Sequence, residues 1–203
     1  MASPNTISQE GFTETIIYVN GQPTFLFGPD GLRSIGSAGG IGALDLQTIS
    51  ARLVHTGGVP AQVSTAGTDA TPVVTEFYIA EMFVPANMLV TGIANFNGSV
   101  ASGNIKVGIA DSTGKVLATS ASTAMSGTDA YQRVPFTAPI VLRGPATYFA
   151  LLFVDNTTAR FNTHTAGNFA TGKATSQVYA TGFTTITPPS TFTTALGPIA
   201  SLY

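Results

Sequence analysis

Residues 147–163 read TYFALLFVDNTTARFNT, and the first half of that stretch decides the fold. From Tyr148 to Val154 every residue is apolar or aromatic, and no helix-capping residue introduces the run. A short unbroken apolar run rich in aromatics and ending in Val predicts a β-strand buried on both faces. Each large side chain in it stabilises the fold by roughly 1.5–3 kcal/mol when fully buried. A β core is therefore expected to be densest here. Asp155 and Asn156 mark a polar corner, and the mixed segment 157–163 is expected to return as a second strand.

Working outward, residues 73–203 repeat short apolar segments between turn residues. Strands are expected at 73–84, 88–96, 104–111, 115–120, 131–137, 140–142 and 178–183. Pro85-Ala86-Asn87, Asn97-Gly98, Ser112-Thr113-Gly114 and Gly144-Pro145 punctuate them. In the run Asp111-Ser112-Thr113-Gly114 the Asp side chain is expected to bond local backbone N–H groups. Many short strands at this spacing predict an all-β fold, an antiparallel two-sheet sandwich of jelly-roll-like type.

Residues 1–72 have a different texture and are expected to form an extended N-terminal arm with a small β meander. Ile16-Ile17-Tyr18-Val19 leads into Asn20-Gly21, and Thr24-Phe25-Leu26-Phe27 into Gly28-Pro29-Asp30-Gly31. Both are hairpin signals. A meander of this size cannot bury a core alone. Ile16, Ile17, Phe25, Leu26 and Phe27 are therefore the candidate assembly contacts. Residues 34–42 (SIGSAGGIG) read as a hinge or a close-packed stretch. In 44–54 the spacing of Leu46, Ile49 and Leu53 predicts a short helix, against the strand preference of Thr48, Ile49 and Val54. Residues 57–72 read as a linker.

Composition narrows the function classes. Only 9% of the 203 residues are charged, against about 25% in an ordinary soluble domain, and mean hydropathy is +0.30. No apolar run reaches the ~18 residues of a membrane span, so the chain is expected to bury surface against other chains, as a homo-oligomer or assembly member. Net charge is −2 with the basic residues scattered, which argues against nucleic acid. Cysteine is absent, so neither disulfides nor thiolate metal sites are possible. The segment MASPNTISQEG has no basic or apolar block, and no secretory signal is read in it.

Catalytic signatures are missing. His55 and His164 are far apart in sequence and outside any metal-ligand spacing, and His164 reads as a polar loop residue. There is no G-x-S-x-G elbow, and Gly36, Gly39, Gly40 and Gly42 lack the strand-then-helix setting of a phosphate loop. Glu76 and Glu81 stand five apart on one predicted strand and so point to opposite faces. Tyr131, Phe161, Phe169, Tyr179, Phe183 and Phe192 are candidates for a carbohydrate platform, each with an equally good core or interface reading. No catalytic, cofactor-binding or metal-binding residue is assigned.

One set of segments carries a family likeness: Phe83-Val84-Pro85, Thr91-Gly92-Ile93, Gly108-Ile109-Ala110-Asp111-Ser112-Thr113-Gly114, Gly144-Pro145-Ala146-Thr147-Tyr148, Asn156-Thr157-Thr158-Ala159-Arg160-Phe161 and Gly197-Pro198-Ile199-Ala200. Together they resemble small structural proteins of tailed bacteriophage virions, of the decoration (cement), head-fibre or tail-appendage type. The resemblance implies a usually trimeric virion component, assembled in the host cytoplasm, without enzymatic activity or cofactor. Its partners would be itself and the major capsid protein or other virion proteins. The alternative is a tail-fibre or head-fibre module binding host-surface glycan or receptor, through loops such as 97–104, 121–130 or 164–176.

Overall fold

A computed structural model describes residues 5–9, 12–19, 22–28 and 31–34 by their backbone, and residues 54–56 and 67–203 in full. The chain divides into two compact units, Met1–Gln47 and Thr48–Tyr203.

In the first unit, strands β1 (Asn5–Gln9), β2 (Phe12–Val19), β3 (Gln22–Gly28) and β4 (Gly31–Ser34) form a four-stranded antiparallel sheet in sequence order. Strands β2, β3 and β4 are the meander expected from the two hairpin signals, and β1 is a further strand that those signals do not mark. The turn residues between its strands, the hinge 34–42 beyond Ser34, and all of the expected helix 44–54 except Val54 lie outside the described residues.

The second unit is the sandwich. Strands β10 (Thr123–Ala124), β8 (Asn104–Asp111), β12 (Ala146–Val154), β6 (Phe77–Val84) and β14 (Thr171–Ala174) lie side by side in that order, and β9 (Val116–Thr119) also pairs with β8. Facing this six-stranded sheet is a three-stranded one, β11 (Tyr131–Leu142), β7 (Met88–Phe96) and β15 (Ala200–Leu202). A two-stranded ribbon pairs β13 (Phe161–Asn162) with β5 (Asp69–Ala70). All pairings are antiparallel. The chain crosses between the sheets at β6–β7, β7–β8, β10–β11 and β11–β12, as a jelly-roll-like sandwich requires.

β12 is the centre, as its sequence predicts. It pairs with β6 on one side and β8 on the other, and Tyr148 to Val154 are all buried. Its even-numbered residues Tyr148, Ala150, Leu152 and Val154 enter the main core with Met82, Ile105, Val107 and Ile109, against Val90, Val134 and Leu202 of the opposite sheet. Its odd-numbered residues Phe149, Leu151 and Phe153 form a second cluster with Phe77, Ile79 and Ile186.

That second cluster corrects one expectation. Residues 178–183 are apolar, yet they form a turn: Thr181 and Gly182 donate to Val178 O, and Gly182 adopts φ +83°. Tyr179 and Phe183 cover the outer face of the large sheet, with ring centroids 5.2 Å from Phe153 and from Phe77 respectively. Lys106 Nζ donates to the carbonyl of Tyr179 at 2.7 Å, which a strand neighbour would otherwise have to satisfy. The segment is buried by its rings rather than by a ladder.

Three other boundaries move for local reasons. The return strand 157–163 shrinks to Phe161–Asn162, because Asn156 Oδ1 accepts from the N–H groups of Thr158 and Ala159 while Arg160 donates to the carbonyls of 157–159. These local bonds compete with a sheet ladder. β6 starts at Phe77 rather than 73, since Glu76 N donates to Val73 O and Val73 N to the Tyr78 hydroxyl. The two strands expected at 131–137 and 140–142 are one, β11, with a register shift between Pro135 and Ile140. Prolines 135 and 139 fall on an edge strand beside that irregularity, where missing N–H groups are tolerated.

Both open sides of the sandwich are stitched. On one, Ser120 bridges Phe136. On the other, residues 54–56 lie between β15 and β6, His55 bridging Ser201 and Thr56 bridging Met82. Such closure blunts the edges that would otherwise recruit foreign strands. The sandwich unit thus takes in 54–56 and 67–72, which the sequence reading placed in the arm.

Candidate functional site

The candidate assembly residues are aligned by the backbone register of the N-terminal sheet. Ile16 stands opposite Leu26, Ile17 opposite Phe25, and Phe27 opposite Thr15 on one side and Leu32 on the other. All five therefore fall in the two central strands β2 and β3, within a span of a few residues. β-Branched and aromatic residues facing one another across an antiparallel pair stabilise a hairpin by roughly 0.2–1 kcal/mol each.

The sandwich adds its own apolar surface. Leu89 and Val141 are a direct cross-strand pair between β7 and β11, 53% and 61% exposed. Phe83, near the end of β6, is 53% exposed. These positions flank the connections 85–87 and 143–145, so one end of the sandwich carries a greasy rim that a sequence pattern of alternation alone places only at single positions.

The loops named for a glycan cleft are tied down by polar contacts. Loops 97–104 and 121–130 are knitted together around buried Asn97, whose Nδ2 donates to Ser126 O at 2.8 Å and to Gln132 Oε1 at 2.9 Å. Asn162 Nδ2 donates to Asn97 O, and Asn95 Nδ2 to Asn97 Oδ1. At the neighbouring corner Asp155 accepts from Asn104 N at 2.8 Å and Asn104 Nδ2 at 2.7 Å.

Of the six aromatics considered for a platform, Phe161 is in the core and packs on Tyr78 at 4.7 Å. Tyr179 and Phe183 belong to the cover over Phe153 and Phe77. Tyr131 lies against Phe96 at 4.9 Å. Phe169 and Phe192 make a half-buried pair 5.5 Å apart, with His164 edge-on to Phe169 at 4.8 Å.

Asp111 behaves as expected of a turn residue. Its Oδ1 accepts from Thr113 N, Thr113 Oγ1 and Lys115 N, and the Thr113 hydroxyl foremost holds the carboxyl below the usual Asp range. Glu76 lies just before β6, so the expectation of two carboxylates on opposite faces of one strand does not apply: buried Glu76 pairs with Lys173 Nζ at 2.8 Å, while Glu81 on β6 accepts from Ala170 N at 2.6 Å. Among the described residues no three His, Asp or Glu side chains converge as metal ligands would.

The histidines are where sequence reasoning fell short. His164 is a half-buried residue bonded through Nε2 to Thr56 Oγ1 at 2.8 Å, and it lies near enough to His55 to feel its charge. The only hint in the sequence is Val54-His55-Thr56, a β-branched pair around a histidine directly at the end of the expected helix 44–54.

Fold and surface together define a non-repetitive β-sandwich domain preceded by a separate small sheet. A family model described as Domain of unknown function (DUF4082) matches residues 59–195, and the chain belongs to that family. No curated protein and no solved structure matches the chain.

Proposed function

We propose that the protein is a non-enzymatic structural protein of a tailed-bacteriophage virion, a capsid decoration (cement) protein that stabilises the head through contacts between subunits. The observation that carries this reading is the separate N-terminal sheet, with Ile16, Ile17, Phe25, Leu26 and Phe27 gathered on β2 and β3. Too small to hold a core, such a sheet is stable only when its apolar residues are covered. The scarcity of charge and the exposed Leu89–Val141 pair support the same conclusion, since both are at ease under a partner chain. The partners are further copies of this chain, as a trimer, and the major capsid protein. Many modest contacts repeated over a lattice then add by avidity.

In the test, full-length chain and the double variant I17D/F25D are mixed with heads that lack the protein and sedimented. The parent is expected to co-sediment and to run as a trimer. The variant should lose head binding at least tenfold while its sandwich keeps the parent's unfolding midpoint, because two buried carboxylates each cost several kcal/mol at an interface. Equal binding by both proteins would refute the arm's role. The half-buried Phe169–Phe192 pair is the feature that favours the alternative, a fibre module binding glycan by ring stacking. Saturable binding on a glycan array that Phe192→Ala abolishes, with no binding to heads, would establish that alternative instead.

A further inference from the structure

Asn97, at the centre of the polar network between loops 97–104 and 121–130, is completely buried and held at every polar group. Its N–H donates to Ala130 O at 3.0 Å, its carbonyl accepts from Asn162 Nδ2 at 2.9 Å, and Oδ1 accepts from Asn95 Nδ2 at 3.0 Å. Nδ2 faces Ser126 O at 2.8 Å, Gly127 O at 3.3 Å and Gln132 Oε1 at 2.9 Å. Carbonyl oxygens only accept, so the atom aimed at them must carry hydrogen. Gln132 cannot turn its amide round, because Oε1 also accepts from Ser126 N and Nε2 donates to Ala124 O. Position 97 therefore demands a donor on one arm of its side chain and an acceptor on the other.

The next position demands glycine. A Cβ on residue 98 would stand 2.7 Å from Arg160 Cβ and would also overlap the carboxylate of Asp69, to which Ser99 N donates at 3.3 Å. Gly98 N donates to Arg160 O at 2.8 Å, so the two backbones cannot draw apart without losing that bond. Packing thus brings together the dipeptide whose side-chain amide is least durable in a free chain. With no Cβ to obstruct it, a glycine nitrogen closes readily on the Cγ of a preceding asparagine. In the sandwich this closure is blocked at both ends. Gly98 N–H is bonded to Arg160 O, and the Asn97 amide is fixed by Asn95, Ser126, Gly127 and Gln132.

We propose that Asn97 is a modification site exposed only when the sandwich unfolds, and that its deamidation makes unfolding one-way. In the unfolded chain Gly98 N bonds to Asn97 Cγ, the Cγ–Nδ2 bond breaks, and Nδ2 leaves as ammonia with the proton that Gly98 N gives up. Water then opens the succinimide at one carbonyl or the other, leaving aspartate or isoaspartate at 97. Either product carries a carboxylate, which at neutral pH has no hydrogen to offer Ser126 O, Gly127 O or Gln132 Oε1. A buried charge facing acceptors is strongly unfavourable. Isoaspartate also lengthens the backbone between the groups that Ala130 and Asn162 bond. A chain that stays unfolded long enough to react is then withheld from the folded pool.

In the test, full-length chain is kept at neutral pH in buffer and in concentrated guanidinium chloride, and conversion of amide to acid is followed by peptide mass spectrometry. The sequence holds a second Asn-Gly pair, Asn20-Gly21, which serves as the clock for the denatured sample. In denaturant Asn97 should convert as fast as Asn20. In buffer Asn97 should convert at least about tenfold more slowly than in denaturant, because reaction is confined to the small opened population. After dilution from denaturant, chains recovered folded should carry intact Asn97, and converted chains should collect in the fraction that does not refold. Asn97→Asp, made directly, should fail to reach the fold at neutral pH or should unfold at a lower guanidinium concentration than the parent. Equal conversion at 97 in buffer and denaturant, equal conversion in the refolded and unrefolded fractions, or a parental midpoint for Asn97→Asp would each overturn the proposal.

Discussion

Replacing Phe153 with alanine should lower the unfolding free energy of the sandwich by about 3–5 kcal/mol. The side chain is completely buried on the outer face of the central strand. Its ring lies 5.8 Å from Phe77, 5.2 Å from Tyr179 and 6.1 Å from Phe183. Each favourable ring pair contributes about 0.5–1.5 kcal/mol beyond its buried area, so three are weakened at once. Collapse cannot fill the space readily, because β12 is fixed on both sides by β6 and β8. The cover 178–183 has no strand ladder to hold it in place. It should therefore loosen first, and exchange at the amides of Thr181 and Gly182 should accelerate more than at Leu151. Thermal unfolding should drop by roughly 10 °C for a domain of this size. A loss under about 1 kcal/mol in urea titration would mean that the cover closes over the cavity, and that the outer face is not a packed layer at all.

The contrast between β12 and its cover shows which physical information a single sequence holds. An unbroken apolar run reports burial on both faces, and β12 has it. Residues 178–183 report burial as well, through Tyr179 and Phe183, but burial does not name the partner of each carbonyl. That partner is Lys106, more than seventy residues away in the chain. The same gap explains 157–163, where Thr-rich composition favours strand but Asn156 and Arg160 satisfy the backbone locally. Turn chemistry was fully legible at Asp111, because all its partners lie within four residues. The meander was legible for the same reason: its register follows from short connections. The Thr56–His164 contact was illegible, since the two residues stand 108 apart and neither is unusual in its own neighbourhood. Alternation marks Val54 and Thr56 as a buried pair only once β15 and β6 are known to lie on either side of them.

Thr56→Val is the substitution that separates the hydroxyl of Thr56, which bonds Pro198, Ala200 and His164, from the shape of its side chain. Valine matches threonine in volume and branching, so the backbone bridge of residue 56 to Met82 should survive, and strand propensity is not reduced. What disappears is one oxygen that serves three groups: the Pro198 carbonyl, the Ala200 N–H and His164 Nε2. The site is fully buried at Thr56, so water cannot replace that oxygen without opening the ladder. Each buried polar group left without a partner costs about 1–3 kcal/mol, and partial rearrangement brings the expected total to about 2–5 kcal/mol. The loss should appear mainly as undocking of 54–56, with exchange at Thr56 and Leu202 faster than in the parent at pH 7. Thr56→Ser, which keeps the oxygen and deletes a methyl, should cost about 1 kcal/mol or less. If valine proves as benign as serine, the oxygen is not the anchor. The three short distances around it would then reflect the path of the chain rather than hold it.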